Sequence, residues 1–175
     1  MSIRVITPDT PKENYSVKEK MIFLAGPIQG TKNWQENAIK WLELSYKGED
    51  ELIIANPRRE TPIGFKYEDQ VDWESFHLNY SDVILFWLAE ETKHFCDRAY
   101  AQTTRFELGE WFDSEKVVIG ANLSFPGLKY IKYKIEEFNK SYLQPLPGYI
   151  DSKMIPYSNS LLRTCCDALE MLTNR

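Results

Sequence analysis

The chain is poor in cysteine, histidine and positive charge, and it has no long apolar run. Among its 175 residues are 3 cysteines and 2 histidines. Cys96 stands alone, and Cys165 and Cys166 are neighbours, which disulfide geometry seldom allows, so a cross-linked framework is excluded and a reducing, cytoplasmic setting is expected. His77 and His94 have no cysteine or second histidine at ligand spacing, so no metal site is expected. Gly-x-Ser-x-Gly elbows, the dinucleotide glycine pattern and a phosphate loop with its lysine and serine are all missing. Lys and Arg number 21 against 26 Asp and Glu, a net charge of −5, the wrong sign for wrapping duplex nucleic acid. A small anionic ligand stays open, since a few arginines and a helix N-terminus suffice to hold one phosphate. No stretch approaches the ~20 apolar residues of a membrane span, and the polar segment from Met1 to Lys20 has no apolar signal core, so no membrane partner is expected.

What is present is a core. With 43% hydrophobic and 27% charged residues, the composition suits one globular domain over residues 1–175. Met21 to Ala25 reads as a buried strand, followed by the turn Gly26-Pro27-Ile28-Gln29-Gly30 and a helix from Asn33 to Tyr46 that turns Trp34, Ala38 and Trp41 or Leu42 to one side. Leu52 to Ala55 is a second strand, stopped by Asn56-Pro57, and a helix follows from Tyr67 to Asn79. Val83 to Leu88 and Lys116 to Ile119 are further strands, separated by a polar loop from Ala89 to Tyr100 and a helix from about Thr103 to Phe112. Strands alternating with helices imply right-handed crossovers and a three-layer α/β sandwich, flavodoxin- or Rossmann-like, on a mainly parallel sheet of four or five strands. Residues 1–16 are either an edge strand through Ile3 to Ile6 or a loose tail, and 157–173 form a final helix whose stripe is Leu161, Leu162, Cys165, Leu169 and Leu172.

In such folds ligands lie beyond the C-terminal ends of the strands. That selects Gly26, Pro27 and Ile28 after the first strand, Asn56 and Arg58 (with Arg59) after the second, the loop after the third, and Asn122 after the fourth. The glycine turn is either a backbone approach to a ligand or a plain tight turn. The arginines are phosphate or carboxylate partners, or solvated loop charges. Glu107, near the start of its helix, is expected to be ionised by the positive helix end and available as a nucleophile. Glu74 on the preceding helix and Asp82 before the third strand are the other acids in reach, and two carboxylates at one crevice suit glycosyl transfer. Against this stands the plainer reading in which Glu107 caps its helix and Glu74 faces solvent.

Ile22-Phe23-Leu24-Ala25-Gly26-Pro27-Ile28, then Asn56-Pro57-Arg58, then Gln70 to Glu74 leading into Ser81-Asp82-Val83-Ile84-Leu85-Phe86-Trp87, then Thr104-Arg105-Phe106-Glu107-Leu108-Gly109 resemble, in order and spacing, the nucleoside 2-deoxyribosyltransferase family, especially its deoxyribosyltransferase-like branch. The likeness spans about Met21 to Lys132. It implies that Glu107 is the nucleophile and Glu74 the acid facing base or sugar, that Trp73, Tyr67 or Phe65 stacks on the base, that Arg58 and the glycine turn hold a 5′-phosphate if there is one, and that no metal or organic cofactor is needed. It also implies a small-molecule nucleoside or nucleotide as partner and a homo-oligomer. A non-catalytic nucleotide sensor and an NAD glycohydrolase are the rival functions. One departure stands out: where the family's transferases commonly carry an aspartate a few residues before the nucleophile, this chain reads Tyr100-Ala101-Gln102-Thr103-Thr104, and Asp97 lies further off.

Overall fold

A computed structural model describes residues 2–10, 15–16, 18–59, 64, 66–94, 97–143 and 154–174. The strands are β1 (Ile3–Ile6), β2 (Glu19–Ala25), β3 (Glu51–Ala55), β4 (Val83–Leu88), β5 (Val117–Ala121) and β6 (Tyr157–Ser158). The helices are α1 (Trp34–Ser45), α2 (Tyr67–Tyr80), α3 (Gln102–Trp111), α4 (Leu128–Leu143) and α5 (Leu161–Thr173). The strands form one six-stranded sheet in the order β1-β3-β2-β4-β5-β6, and every pairing is parallel.

β2, β3, β4 and β5 are almost wholly buried, because a parallel sheet is covered on both faces. Alternate residues feed two cores. Phe23, Ala25, Ile84 and Phe86 pack with Trp73 and Leu78 of α2, Leu108 of α3 and Leu128 and Ile135 of α4. On the other face Ile22, Leu24, Leu85, Trp87 and Val118 pack with Trp34, Ala38 and Leu42 of α1 and Cys165, Ala168 and Leu169 of α5. The result is the expected three-layer sandwich.

The sheet has six strands rather than four or five. Ile3–Ile6 does form a strand, pairing Ile3 with Leu52 through Ile6 with Ala55 along the outer edge of β3. Tyr157 and Ser158 add a short strand beside β5, so the last helix begins only at Leu161, where the Ser160 hydroxyl accepts the N–H of Arg163. α4 is an element that the alternation did not announce. Its Leu128 and Ile135 are buried, with Ile131 and Phe138 packed beside them, at the i, i+3, i+7 spacing of one helical face. One apolar residue assigned to a helix stripe lies outward instead: Leu162 is exposed. On α1 it is Leu42 that is buried, while Trp41 is exposed. Among the described residues no helix is long and apolar enough to cross a membrane.

Candidate functional site

With β1 set aside, the strand order is flavodoxin-like, and it reverses between β2 and β4. The crevice above that switch point is bounded by the turn after β2 and the loop after β4. Gly26 starts the turn. A Cβ there would stand 2.4 Å from the carbonyl oxygen of Trp87 and 2.7 Å from the ring of Trp34, so only glycine lets β2 and β4 approach at this level. Trp34 Nε1–H donates to Pro27 O at 2.9 Å and holds the turn against α1. At its far end Gly30 O accepts the amides of Thr92 and Lys93, at 2.7 and 3.2 Å, and so joins the turn to the loop after β4. That loop is braced by Asn122, whose Oδ1 accepts the Glu90 amide at 3.0 Å, and by Tyr100, whose hydroxyl lies 2.9 Å from Ala89 O and 3.1 Å from Glu90 O. Ala101, at the entry to α3, takes left-handed dihedrals (φ 56°, ψ 33°), a costly conformation for alanine that sets the direction of α3.

After β3 the neighbouring side chains of Arg58 and Arg59 go to different helices. Arg58 turns toward α1, where its Nε donates to Gln35 Oε1 at 3.2 Å and its Nη2 to Ile28 O at 3.1 Å. Asn56 stabilises this bend by accepting the Arg58 amide at 3.1 Å. Arg59 turns toward α2, where its Nε donates to Gln70 Oε1 at 2.7 Å, and its Nη1 pairs with Asp9. Gln35 is fully buried and its Nε2 has no hydrogen-bond partner among the described residues. Losing the guanidinium would leave Gln35 Oε1 and Ile28 O unpaired as well, and each buried, unmade hydrogen bond costs about 1–3 kcal/mol. Arg58→Ala is therefore expected to lower stability by roughly 2–4 kcal/mol, read by urea unfolding. A midpoint equal to wild type would show these contacts to be solvated and weak.

On the α2 and α3 side lie the acids. Glu74 of α2 and Glu107 of α3 are partly buried side chains of helices on the same face of the sheet, and the charge of Glu74 acts on Glu107. Burial, then the charge of Glu74, then that of Glu110, push the Glu107 carboxyl up from 4.5 to about 8. Burial also raises Glu74, opposed by the hydrogen bond from Gln70 and the charge of Arg59. Gln70 Nε2 lies 2.7 Å from Glu74 Oε1. The charge of Glu74 helps keep the proton on Glu107.

This corrects the expectation that the helix end leaves Glu107 ionised. α3 starts at Gln102, which puts Glu107 beyond the first turn, where the helix dipole fades, and burial outweighs it. Two other expectations are also revised by position. Asp82 lies at the N-terminal end of β4, the opposite edge of the sheet from the crevice, and its Oδ2 accepts the Met21 amide at 2.8 Å. Trp73 is 3% exposed, its ring 4.0 Å from that of His77 and 6.1 Å from that of Phe23, so it packs the core instead of offering a face to a base. Asn122 does reach the crevice edge, where its side-chain oxygen is used to brace the loop. Beyond β2 and β3, Arg58 ties Ile28 O to Gln35 and gives its amide to Asn56, Gln70 joins Glu74 to Pro57 O, and the charge of Glu74 reaches Glu107. Phe65 and Cys96 lie outside the described residues.

The sequence reading passed over Gln35, Gln70 and Tyr100. Gln70 had a signal, since it stands four residues before Glu74 on one helix face, a spacing at which side chains meet. Gln35 had none, because its partner Arg58 comes from another element, and Tyr100 had none, because its bonds to Ala89 O and Glu90 O close a loop with no regular periodicity.

Comparison with known proteins bears on this site. The sequence profile of the family described as "Nucleoside 2-deoxyribosyltransferase like" matches residues 19–125, which run from β2 to the loop after β5 and contain both carboxyls. No curated protein matches the chain.

Proposed function

The chain belongs to the nucleoside 2-deoxyribosyltransferase-like family, and from that premise we propose that it cleaves or transfers the N-glycosidic bond of a 2′-deoxynucleoside or its 5′-monophosphate. The observation that supports this most is the carboxyl pair of Glu74 and Glu107: burial raises both, and the charge of Glu74 adds to the push that takes Glu107 to about 8, so the pair has a proton to give at neutral pH. A double displacement needs that stoichiometry: one carboxylate to attack and one acid to protonate the leaving group. With the proton passed to Glu74, a Glu107 oxygen bonds to C1′ while the C1′–N bond breaks, and its electron pair leaves with the base, which takes the proton from Glu74. The acceptor, a second base or water, then bonds to C1′ from the vacated side and gives its proton to Glu74, and the ester C–O bond breaks to restore the Glu107 carboxylate. Both steps invert C1′, so the overall outcome is retention. The oxocarbenium-like transition state is favoured by the adjacent carboxylate and by the absence of an electron-withdrawing 2′-hydroxyl.

The pair also sets the pH dependence. The productive form holds one proton, so activity rises as Glu74 ionises, above the ordinary carboxyl range, and falls as the last proton leaves at about 8. We expect a bell-shaped kcat/KM with its basic limb near pH 8, and a profile still rising at pH 9.5 would rule out the shared proton.

The decisive experiment incubates the protein with deoxynucleosides and deoxynucleoside monophosphates, with and without acceptor bases, and follows free base by chromatography and Glu107 by peptide mass spectrometry. Release of base together with a deoxyribosyl ester on the Glu107 peptide is expected. Binding without release or ester would make the protein a nucleotide sensor, and release of nicotinamide from NAD alone would make it a glycohydrolase of another substrate.

A further inference from the structure

The α2 side of the site carries a polar chain that begins far from the carboxyl pair. Beyond β1, Thr7 and Thr10 close a turn: the Thr10 amide donates to Thr7 O at 2.8 Å, and the Thr7 amide donates to Thr10 Oγ1 at 3.1 Å. Asp9 sits in that turn, its own amide 3.4 Å from Thr7 Oγ1, and its carboxylate takes Arg59 Nη1. Arg59 Nε donates to Gln70 Oε1 at 2.7 Å. The two N–H bonds of the Gln70 amide are then directed to Pro57 O at 2.9 Å and to Glu74 Oε1 at 2.7 Å. Every link is determined by the one before. The guanidinium only donates, so Gln70 must present its oxygen to Arg59 and its nitrogen to Glu74; the flipped amide would set donor against donor at one end and acceptor against carboxylate at the other. The Arg59 side chain is only 12% exposed while Asp9 is 39% exposed, so the ion pair is shielded from water at its arginine end and screened at the other.

We propose that Arg59 and Gln70 are positioning residues for Glu74, and that the Thr7–Thr10 turn, through Asp9, anchors them from outside the family-matched segment. This rests on the reading above, in which Glu74 and Glu107 work as a pair. The charged groups that act on the pair are Arg59 from the segment after β3, Glu110 from α3 and, through Arg59, Asp9 from the turn. On α2 itself, His77 has its Nδ1 2.7 Å from Trp73 O and its Nε2 2.8 Å from the Tyr15 hydroxyl. Of these, Arg59 is the cation that favours a charged Glu74, and Gln70 is the donor that does so. Removing either makes the Glu74 carboxylate less favourable, so Glu74 should keep its proton to higher pH. Hydrogen bonds to charged groups contribute about 1.5–3 kcal/mol, which corresponds to an upward displacement of roughly one to two pH units.

The test titrates the full chain carrying 13C-labelled glutamate carboxyls by NMR, which needs no turnover, and in parallel measures kcat/KM against pH. Gln70→Met and Arg59→Met, each first shown to fold by circular dichroism, are expected to move the Glu74 midpoint and the acid limb upward by about one unit, roughly a tenfold loss of kcat/KM on that limb. Arg59→Lys keeps the charge but not the fork that spans Gln70 and Asp9, and is expected to recover part of the shift. Asp9→Asn, on the exposed end of the chain, should move the midpoint the same way by less. A Glu74 midpoint that stays at its wild-type value in folded Gln70→Met or Arg59→Met overturns the proposal, whatever happens to the melting temperature. If neither folds, Asp9→Asn decides alone, and an unmoved midpoint there overturns it. Should no substrate be turned over, the NMR titration still answers for the chain of contacts, so failure of the functional reading and failure of this inference are told apart.

Discussion

Glu107→Gln is expected to abolish turnover while making the protein more stable at alkaline pH. Removing a covalent nucleophile typically costs three or more orders of magnitude, and glutamine keeps the volume of the side chain while it can neither attack C1′ nor hold the shared proton. The stability gain follows from linkage. The folded-state carboxyl sits at about 8 against an ordinary 4.5, so the folded protein binds this proton more tightly than the unfolded chain does. The associated stability is fully present below pH 4.5 and is lost as the pH climbs through 8, when the buried carboxyl must ionise beside Glu74. Glutamine never ionises. Glu107→Gln should therefore melt no higher than wild type at pH 4.5 and higher at pH 9, by an amount worth about 2–4 kcal/mol. Thermal scans at the two pH values and an assay for released base check both halves. Wild-type rates in the variant would remove Glu107 from the mechanism, and an equal melting difference at both pH values would show that its carboxyl is not held protonated by its surroundings.

Gly26→Ala is expected to act on the crevice as a whole. The added methyl carbon would lie 2.4 Å from Trp87 O and 2.7 Å from Trp34 Cζ2, distances that no adjustment of a flexible side chain end relieves, because one neighbour is the backbone of β4 and the other an indole that is 4% exposed and pinned to Pro27 O. Either β2 and β4 part at the switch point or the turn shifts outward, and Arg58 then loses its hold on Ile28 O. Strain of this kind costs a few kcal/mol, about 2–4 here, and moves the turn by the order of an ångström. Since a small misplacement of a reacting group reduces rates steeply, kcat/KM should fall about a hundredfold or more even in the fraction that folds. Active-site titration combined with chemical denaturation would separate the two effects. A variant with both near wild type would mean that the switch point tolerates a wider strand spacing than the structure has.

The apolar runs of β2, β3, β4 and β5 were legible, exact in β4 and within two residues at the ends of the others, because strands buried on both faces leave few polar positions and helices between them make parallel pairing the default. Glu107 and Glu74 were legible as candidates for the same reason, as each sits on a helix that follows or precedes a recognisable strand. The tertiary structure decided what those residues are. Arg58 and Arg59 are neighbours of the same chemistry, yet one is bonded to Gln35 of α1 and the other to Gln70 of α2 and to Asp9, and no local pattern names those partners. Asp82 and Met21 meet 61 positions apart and at the far edge of the sheet, which removes Asp82 from the crevice. Most of all, the sequence shows a glutamate near a helix start and so predicts a charge. The structure buries that glutamate beside a second acid, and in a site of low polarisability desolvation and like-charge repulsion outweigh a helix end more than a turn away.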